Sequence, residues 1–214
     1  MCVRGSYGSF LENVLRKNQN PFVFLDIGAN QGVFTLIAAQ NSDCLTAVAL
    51  EPVKSTADLL CANAQRNGLS HRIQLLRAAL SSDAGTSQIK IERGHSGLAS
   101  FRNGFAGDGT TEEVTLVTMD VVDEYLPDHG AIYVKVDVEG HEDIVIEQLS
   151  RSRHKGRFAF VFYEVDEAWH DPEKLEQSLR QIGFTSFTKI GVGRHYDVAA
   201  SRSDLPASQP HEVK

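Results

Sequence analysis

The stretch Phe22-Val23-Phe24-Leu25-Asp26-Ile27-Gly28-Ala29-Asn30-Gln31-Gly32 decides the fold. Its first half is apolar, rich in aromatic and β-branched side chains, as expected of a strand buried on both faces. Two glycines then bracket a polar turn, and Val33 to Gln40 reads as the helix that follows. Gly28 and Gly32 let the backbone turn tightly and approach a ligand, while amides at a helix start meet negative ligand atoms. A dinucleotide fingerprint needs G-x-G-x-x-G. Here the spacing is G-x-x-x-G, with Ala29-Asn30 where the second glycine would be required, which removes the main support for an NAD-dependent dehydrogenase.

Outward from that unit, short apolar runs alternate with segments of helical periodicity, the pattern of a mostly parallel sheet covered by helices. Leu45 to Leu50 reads as the second strand and Ser55 to Asn67 as a helix stopped by Asn67-Gly68. Ile73 to Ala79, Ile132 to Val138 and Phe158 to Val165 read as the third, fourth and fifth strands. Between the third and fourth, Ser87 to Glu92 and Glu113 to Met119 alternate apolar with polar residues, which predicts an inserted β-hairpin. The long loop Gly94 to Gly109 inside it is either a substrate-facing segment or a plain surface loop. A helix over Glu173 to Ile182 leads to a C-terminal antiparallel hairpin, Phe184 to Ile190 with His195 to Ala199. The expected organisation is an N-terminal helical segment at 1–20, one domain at 21–200, and a polar, disordered tail at 201–214.

With 214 residues, 42% of them hydrophobic, the chain suffices for one core. No apolar run reaches the roughly 18 residues of a membrane-spanning helix, and the N-terminus has no signal-like apolar segment. Cys2, Cys44 and Cys61 lack the paired spacings of a zinc or redox site, so reduced thiols in a cytoplasmic setting are expected. A formal charge of -7 argues against binding nucleic acid through its phosphates and favours a small-molecule substrate. The one basic concentration, Arg151 to Arg157, reads as a solvated loop.

Chemistry gathers at the strand ends, where open α/β sheets bind ligands. Asp26 precedes the first glycine; a carboxylate there suits a cationic amino-acid and sulfonium ligand better than a diphosphate, which favours S-adenosylmethionine. Glu51, followed by Pro52, ends the second strand, where such folds grip ribose hydroxyls. Either acid is equally readable as a cap for the next helix. Ala79 and Leu80 offer small apolar flanks for a flat ring. Alternation along the fourth strand places Lys135, Asp137 and Glu139 on one face, costly unless paired or used; the competing reading is an ion pair that only orders the core. Glu164 ends the fifth strand, and with Asp137 it would orient a hydroxyl or hold Mg²⁺ through oxygen ligands. His95 and His141 are further titratable candidates outside this set.

On FLDIGANQGVFTL, the Glu51-Pro52 strand end, AALSSDAG, VKVDVEGHE and FYEV, the chain resembles the FkbM-type methyltransferase family from about Phe22 to Val198. The resemblance implies a Rossmann-like class I S-adenosylmethionine-dependent methyltransferase sandwich and methylation of hydroxyl oxygens on sugars or secondary metabolites. It also implies cofactor contacts at Asp26, Gly28, Ala29, Asn30, Gly32, Glu51, Pro52, Ala79, Leu80 and Asp137. Lys135, Asp137 and Glu139 would then lie beside the transferred methyl group, and GHSGLASF would be the variable substrate-side loop. The segment before the first strand is short for the family. Asp137 is the favoured proton acceptor, with Lys135 and Glu139 tuning it. The reading from a different class is a methyltransferase-like module that serves only as an interaction surface.

Overall fold

A computed structural model of the protein describes residues 8–91, 99–100 and 110–202. It begins with α1 (Ser9–Lys17), β1 (Phe22–Ile27), α2 (Val33–Gln40), β2 (Cys44–Leu50), α3 (Lys54–Arg66) and β3 (Ile73–Leu76). There follow β4 (Ala79–Leu80), β5 (Gly85–Ile91), β6 (Ala99–Ser100), β7 (Thr110–Val117) and α4 (Met119–Asp123). The remainder is β8 (Ala131–Val136), α5 (Glu142–Arg151), β9 (Phe158–Asp166), α6 (Pro172–Gln181), β10 (Ser186–Ile190) and β11 (His195–Ser201).

Seven strands form the main sheet in the order β10-β11-β9-β8-β1-β2-β3. Neighbours from β9 to β3 are parallel, and β11 and β10 close the edge antiparallel. Every residue of β1 is buried, because this strand has a layer on each side. Val23, Leu25 and Ile27 face one way, joining Ile132, Val134 and Val136 of β8 and apolar residues of α4, α5 and α6. Phe22 and Phe24 face the other way, against Leu11 and Leu15 of α1, Ala38 and Ala39 of α2, and Phe160 and Phe162 of β9. Side chains in a strand point alternately to opposite faces, so Asp26 and its register partner Lys135 lie on the α1 and α2 side. Two charged residues thus occupy positions that the pattern would give to phenylalanines.

Four departures from the sequence-based expectations have local causes. The third strand stops at Leu76; Arg77, paired with Asp58 at 2.6 Å, turns the chain, and Ala79–Leu80 leaves the main sheet. The predicted hairpin is therefore part of a separate four-stranded sheet, β4-β7-β5-β6, with its own small core of Val53, Ile89 and Val114. Its second arm ends at Val117, and Met119 starts α4 instead. Helix α5, which the sequence reading leaves unassigned, buries Val145, Ile146 and Leu149 on one face. The basic stretch is not merely solvated. Arg157 donates to the carbonyls of Pro127 and Gly130 at 2.6 and 2.9 Å, and the Arg153 amide donates to Asp123 Oδ2 at 2.8 Å, tying the far end of the sheet together. Most of the loop Gly94 to Gly109, with His95, and the tail from Ser203 onward fall outside the described residues.

Candidate active site

Between β1 and β8 the strand order reverses, and there the carboxyl ends of the strands diverge to leave room for a ligand. A cavity of about 590 Å³ occupies this place, within the usual range for small-molecule sites.

One half of its wall comes from the turn after β1. The amides of Gly28 and Ala29 both donate to the Leu50 carbonyl, at 3.1 and 2.9 Å, folding the turn back over β2. Gly28 has φ +79, and a Cβ there would run into the Asp137 carbonyl oxygen, so the position has room for glycine alone. Asn30 also takes a left-handed φ of 50, tolerable for asparagine, and turns its amide onto Glu51 Oε2 at 2.9 Å. Glu51 Oε1 accepts the Val53 amide, also at 2.9 Å, just before α3. Glu51 thus orders two amides and still faces the cavity, without capping α3 in the usual way. Burial raises its pKa to about 6 despite those amides. Ala29, Leu50, Pro52, Ala79, Leu80 and Ile89 complete an apolar flank, Ile89 being a contribution of the second sheet that strand periodicity alone did not single out. Asn30 Oδ1 is buried and has no protein partner.

Two residues expected at the cofactor lie behind this wall. Gly32 starts α2 with φ 85 and packs on Leu60, where a Cβ would come within 2.7 Å of Cγ. Asp26 is fully buried: Thr35 donates to its Oδ2 at 2.5 Å, and Lys135 Nζ stands 3.4 Å from Oδ1. Neither lines the cavity. Asp26 instead supports Lys135, whose ammonium also donates to the Gly28 carbonyl at 3.0 Å and pairs with Asp137 Oδ2 at 3.2 Å. Burial favours the neutral amine, but Asp137 and Asp26 outweigh it and raise the Lys135 pKa, holding it charged.

The other half of the wall is acidic. After β8 the chain does not stay extended: Glu139 sits at φ 51, so the alternation that would align it with Lys135 and Asp137 breaks at Val136. The turn is held by buried Glu142, whose carboxylate accepts the amides of Val138 and Gly140 at 3.0 Å each and meets His170 Nε2 at 2.6 Å. Asp137, Glu139, His141 and, from β9, Glu164 all reach the cavity. Burial, then the negative charges of Asp137, Glu164 and Glu142, raise the Glu139 pKa to about 7 against the pull of His195. Glu164 is likewise raised by burial and by Asp137, although His195 Nε2 lies 2.7 Å from its Oε1. Asp197 behind them is pushed up to about 6 by burial and by Glu164. No group of three or more His, Cys, Asp or Glu among the described residues is arranged to hold a metal ion.

Gly8, Ser9 and Glu12 beside α1, and Val33, Phe34 and Ile37 of α2, close the remaining side. The amphipathic spacing of Phe10, Leu11, Val14 and Leu15 announces a packed helix; that it borders the site is a tertiary fact.

Residues 26–186 match the family model described as the methyltransferase FkbM domain. The chain belongs to the FkbM methyltransferase family. Family and fold together imply S-adenosylmethionine as the methyl donor. No curated protein matches the chain. Among solved structures, it is similar to the METTL16 MTase domain at 15% identity and TM-score 0.54, covering 92% of this chain and 67% of that one. It is similar too to the precorrin-6y C5,15-methyltransferase from Geobacter metallireducens, at 13% identity and TM-score 0.51, covering 90% and 87%. The ribosomal protein L11 methylase from Lactobacillus delbrueckii subsp. bulgaricus gives 15% and 0.52, covering 94% and 81%. At these identities the likeness is one of fold.

The FkbM-family site has the chemistry the methyl donor needs. The apolar flank of Ala79, Leu80 and Ile89 suits a flat base. Glu51 keeps a lone pair on each oxygen for hydroxyls, and the buried Asn30 Oδ1 offers an acceptor without a protein donor. The carboxylates of the opposite wall favour a ligand carrying positive charge.

Proposed function

We propose that this protein transfers the methyl group of S-adenosylmethionine to a hydroxyl oxygen of a small molecule, a sugar or a secondary metabolite. The observation that carries the reading is a single cavity whose apolar, Glu51-bearing half adjoins a half lined by Asp137, Glu139 and Glu164. When bound, the donor supplies an electrophilic methyl carbon on a positively charged sulfur. Glu51 accepts from ribose hydroxyls, and Asn30 Oδ1 takes a donor from the same ligand. Lys135, locked between Asp26 and Asp137, fixes the Asp137 carboxylate and the Gly28 carbonyl relative to one another, so the two strand ends keep their spacing. Holding the nucleophile in line with methyl carbon and leaving sulfur supplies most of the acceleration. Three carboxylates on the acceptor side repel a phosphate backbone and accept hydrogen bonds from hydroxyl groups, which supports a small polyhydroxylated acceptor over nucleic acid. Of the cysteines among the described residues, Cys44 is buried and Cys61 exposed, both free; this fits a reducing, cytoplasmic setting.

The test is calorimetric titration with S-adenosylmethionine and S-adenosylhomocysteine, with NADH as competing ligand. Both adenosyl ligands bind at about micromolar Kd, near 8 kcal/mol, NADH does not compete, and Glu51→Ala weakens both. Incubation with labelled donor and a panel of sugars and hydroxylated metabolites then yields an O-methyl product. Folded protein that binds neither adenosyl ligand would instead be an interaction module of methyltransferase shape.

A further inference from the structure

We propose that Glu139 is the carboxylate that takes the acceptor's proton, and that it hands this proton to solvent each time a fresh positively charged donor enters the site. The inference rests on the methyl-transfer reading above and assigns one of its steps to a residue.

Glu139 lines the cavity, at the tip of the turn that joins β8 to α5. That turn is over-determined: Glu142 holds the amides on both sides of Glu139 and is itself braced by His170, both buried. A glutamate at φ 51 is a backbone strain that surrounding structure must sustain, and such strain gathers where a side chain has to be presented in one direction. The Asp137 carboxylate, by contrast, is engaged by Lys135, whose Nζ lies 3.2 Å from its Oδ2, so one of its oxygens is already committed to the protein.

The charges facing Glu139 come from every neighbouring element. Asp137 belongs to its own turn, Glu142 to α5, Glu164 to β9 and His195 to β11, and His141 lines the same cavity. Burial first, and then these carboxylates, raise the Glu139 pKa to about 7, so it is about half protonated near pH 7 in the ligand-free protein. A sulfonium placed in the same cavity favours the carboxylate form and expels that proton. In the transfer step the acceptor O–H bond breaks, its proton passing to Glu139. The oxygen's electron pair forms the O–CH₃ bond, and the C–S pair stays on sulfur, leaving a neutral thioether. Glu139 is then protonated with a neutral sulfur in the cavity, ready to lose its proton at the next exchange.

Calorimetry at pH 7 in two buffers of different ionisation enthalpy counts the protons released on binding. S-adenosylmethionine releases about half a proton per site and S-adenosylhomocysteine, which lacks the positive sulfur, close to none. Between pH 7 and pH 6 affinity for the former falls by about fivefold while the latter stays level. Glu139→Gln binds S-adenosylmethionine without proton release, whereas Asp197→Asn retains the release at pH 7. Equal release with both ligands, no release with either, or undiminished release in Glu139→Gln overturns the proposal while leaving methyl transfer standing. Should Glu139→Gln fail to fold, the wild-type contrast between the two ligands decides. Absence of binding by folded wild-type protein overturns both readings.

Discussion

Two turns face each other across the cavity and are built from opposite materials. The turn after β1 is fixed by backbone: two amides on one carbonyl, and a glycine where no side chain fits. The turn after β8 is fixed by charge: Glu142 on two amides and His170, and Lys135 between Asp26 and Asp137. A turn of the first kind depends little on pH and fails all at once when a methyl group is added. A turn of the second kind tolerates change in shape but responds to every gain or loss of a proton. The site therefore pairs a rigid wall, suited to gripping an invariant ligand, with a responsive wall, suited to moving protons.

Gly28→Ala should give the largest effect. It adds a Cβ against the Asp137 carbonyl oxygen at φ +79, combining overpacking with backbone strain, and should cost about 4 kcal/mol or more. Urea melts would show this loss, together with loss of adenosyl-ligand binding; a near-normal melt would mean that the first wall is not rigid. Next comes Lys135→Met, which leaves Asp26 and Asp137 without their shared cation and should cost about 3–5 kcal/mol at pH 7. Urea melts at pH 7 read this loss, and an unchanged midpoint would mean that the second wall is not held by charge. The smallest is a pH dependence within the rigid wall. Glu51 has a folded pKa of about 6 against an ordinary value of 4.5, so the folded state binds its proton more tightly than the unfolded. Its contribution favours folding below about pH 4.5 and is lost as pH rises toward about 6, a change of roughly 2 kcal/mol. Glu51→Gln should flatten the stability profile in that window, and an unchanged slope would assign the titration elsewhere.

The rigid wall was the more legible in the sequence. Its strand, its glycines and Glu51 lie where apolar patterning and turn chemistry put them, although the contacts that make the glycines indispensable, Asp137 and Leu60, are distant in the chain. The responsive wall was less so. Its residue types were visible at Lys135, Asp137, Glu139 and Glu164, but not their division of labour. Asp26 reads as a ligand contact because it precedes a glycine turn. What turns it into a support is Thr35, one helix later, and Lys135, its register partner on a neighbouring strand. Glu139 reads as a continuation of strand alternation, and nothing in a glutamate announces a left-handed backbone. Likewise, the sequence reading assigns no element to residues 143–150, whose apolar face has meaning only against the sheet.

The place of β11 has a consequence for biosynthesis. It lies between β9 and β10, although it is made after both. While the chain is emerging, β9 has β8 on one side and nothing on the other. Its sequence, FAFVFYEVD, therefore offers a bare, apolar edge of the kind that pairs with other chains. Among the described residues β10 pairs with β11 alone, so it is β11 that covers this edge, paired with β9 from His195 to Ser201. Until residue 201 has cleared the ribosome, the nascent chain depends on speed or on chaperones to keep its fifth parallel strand from the wrong neighbour.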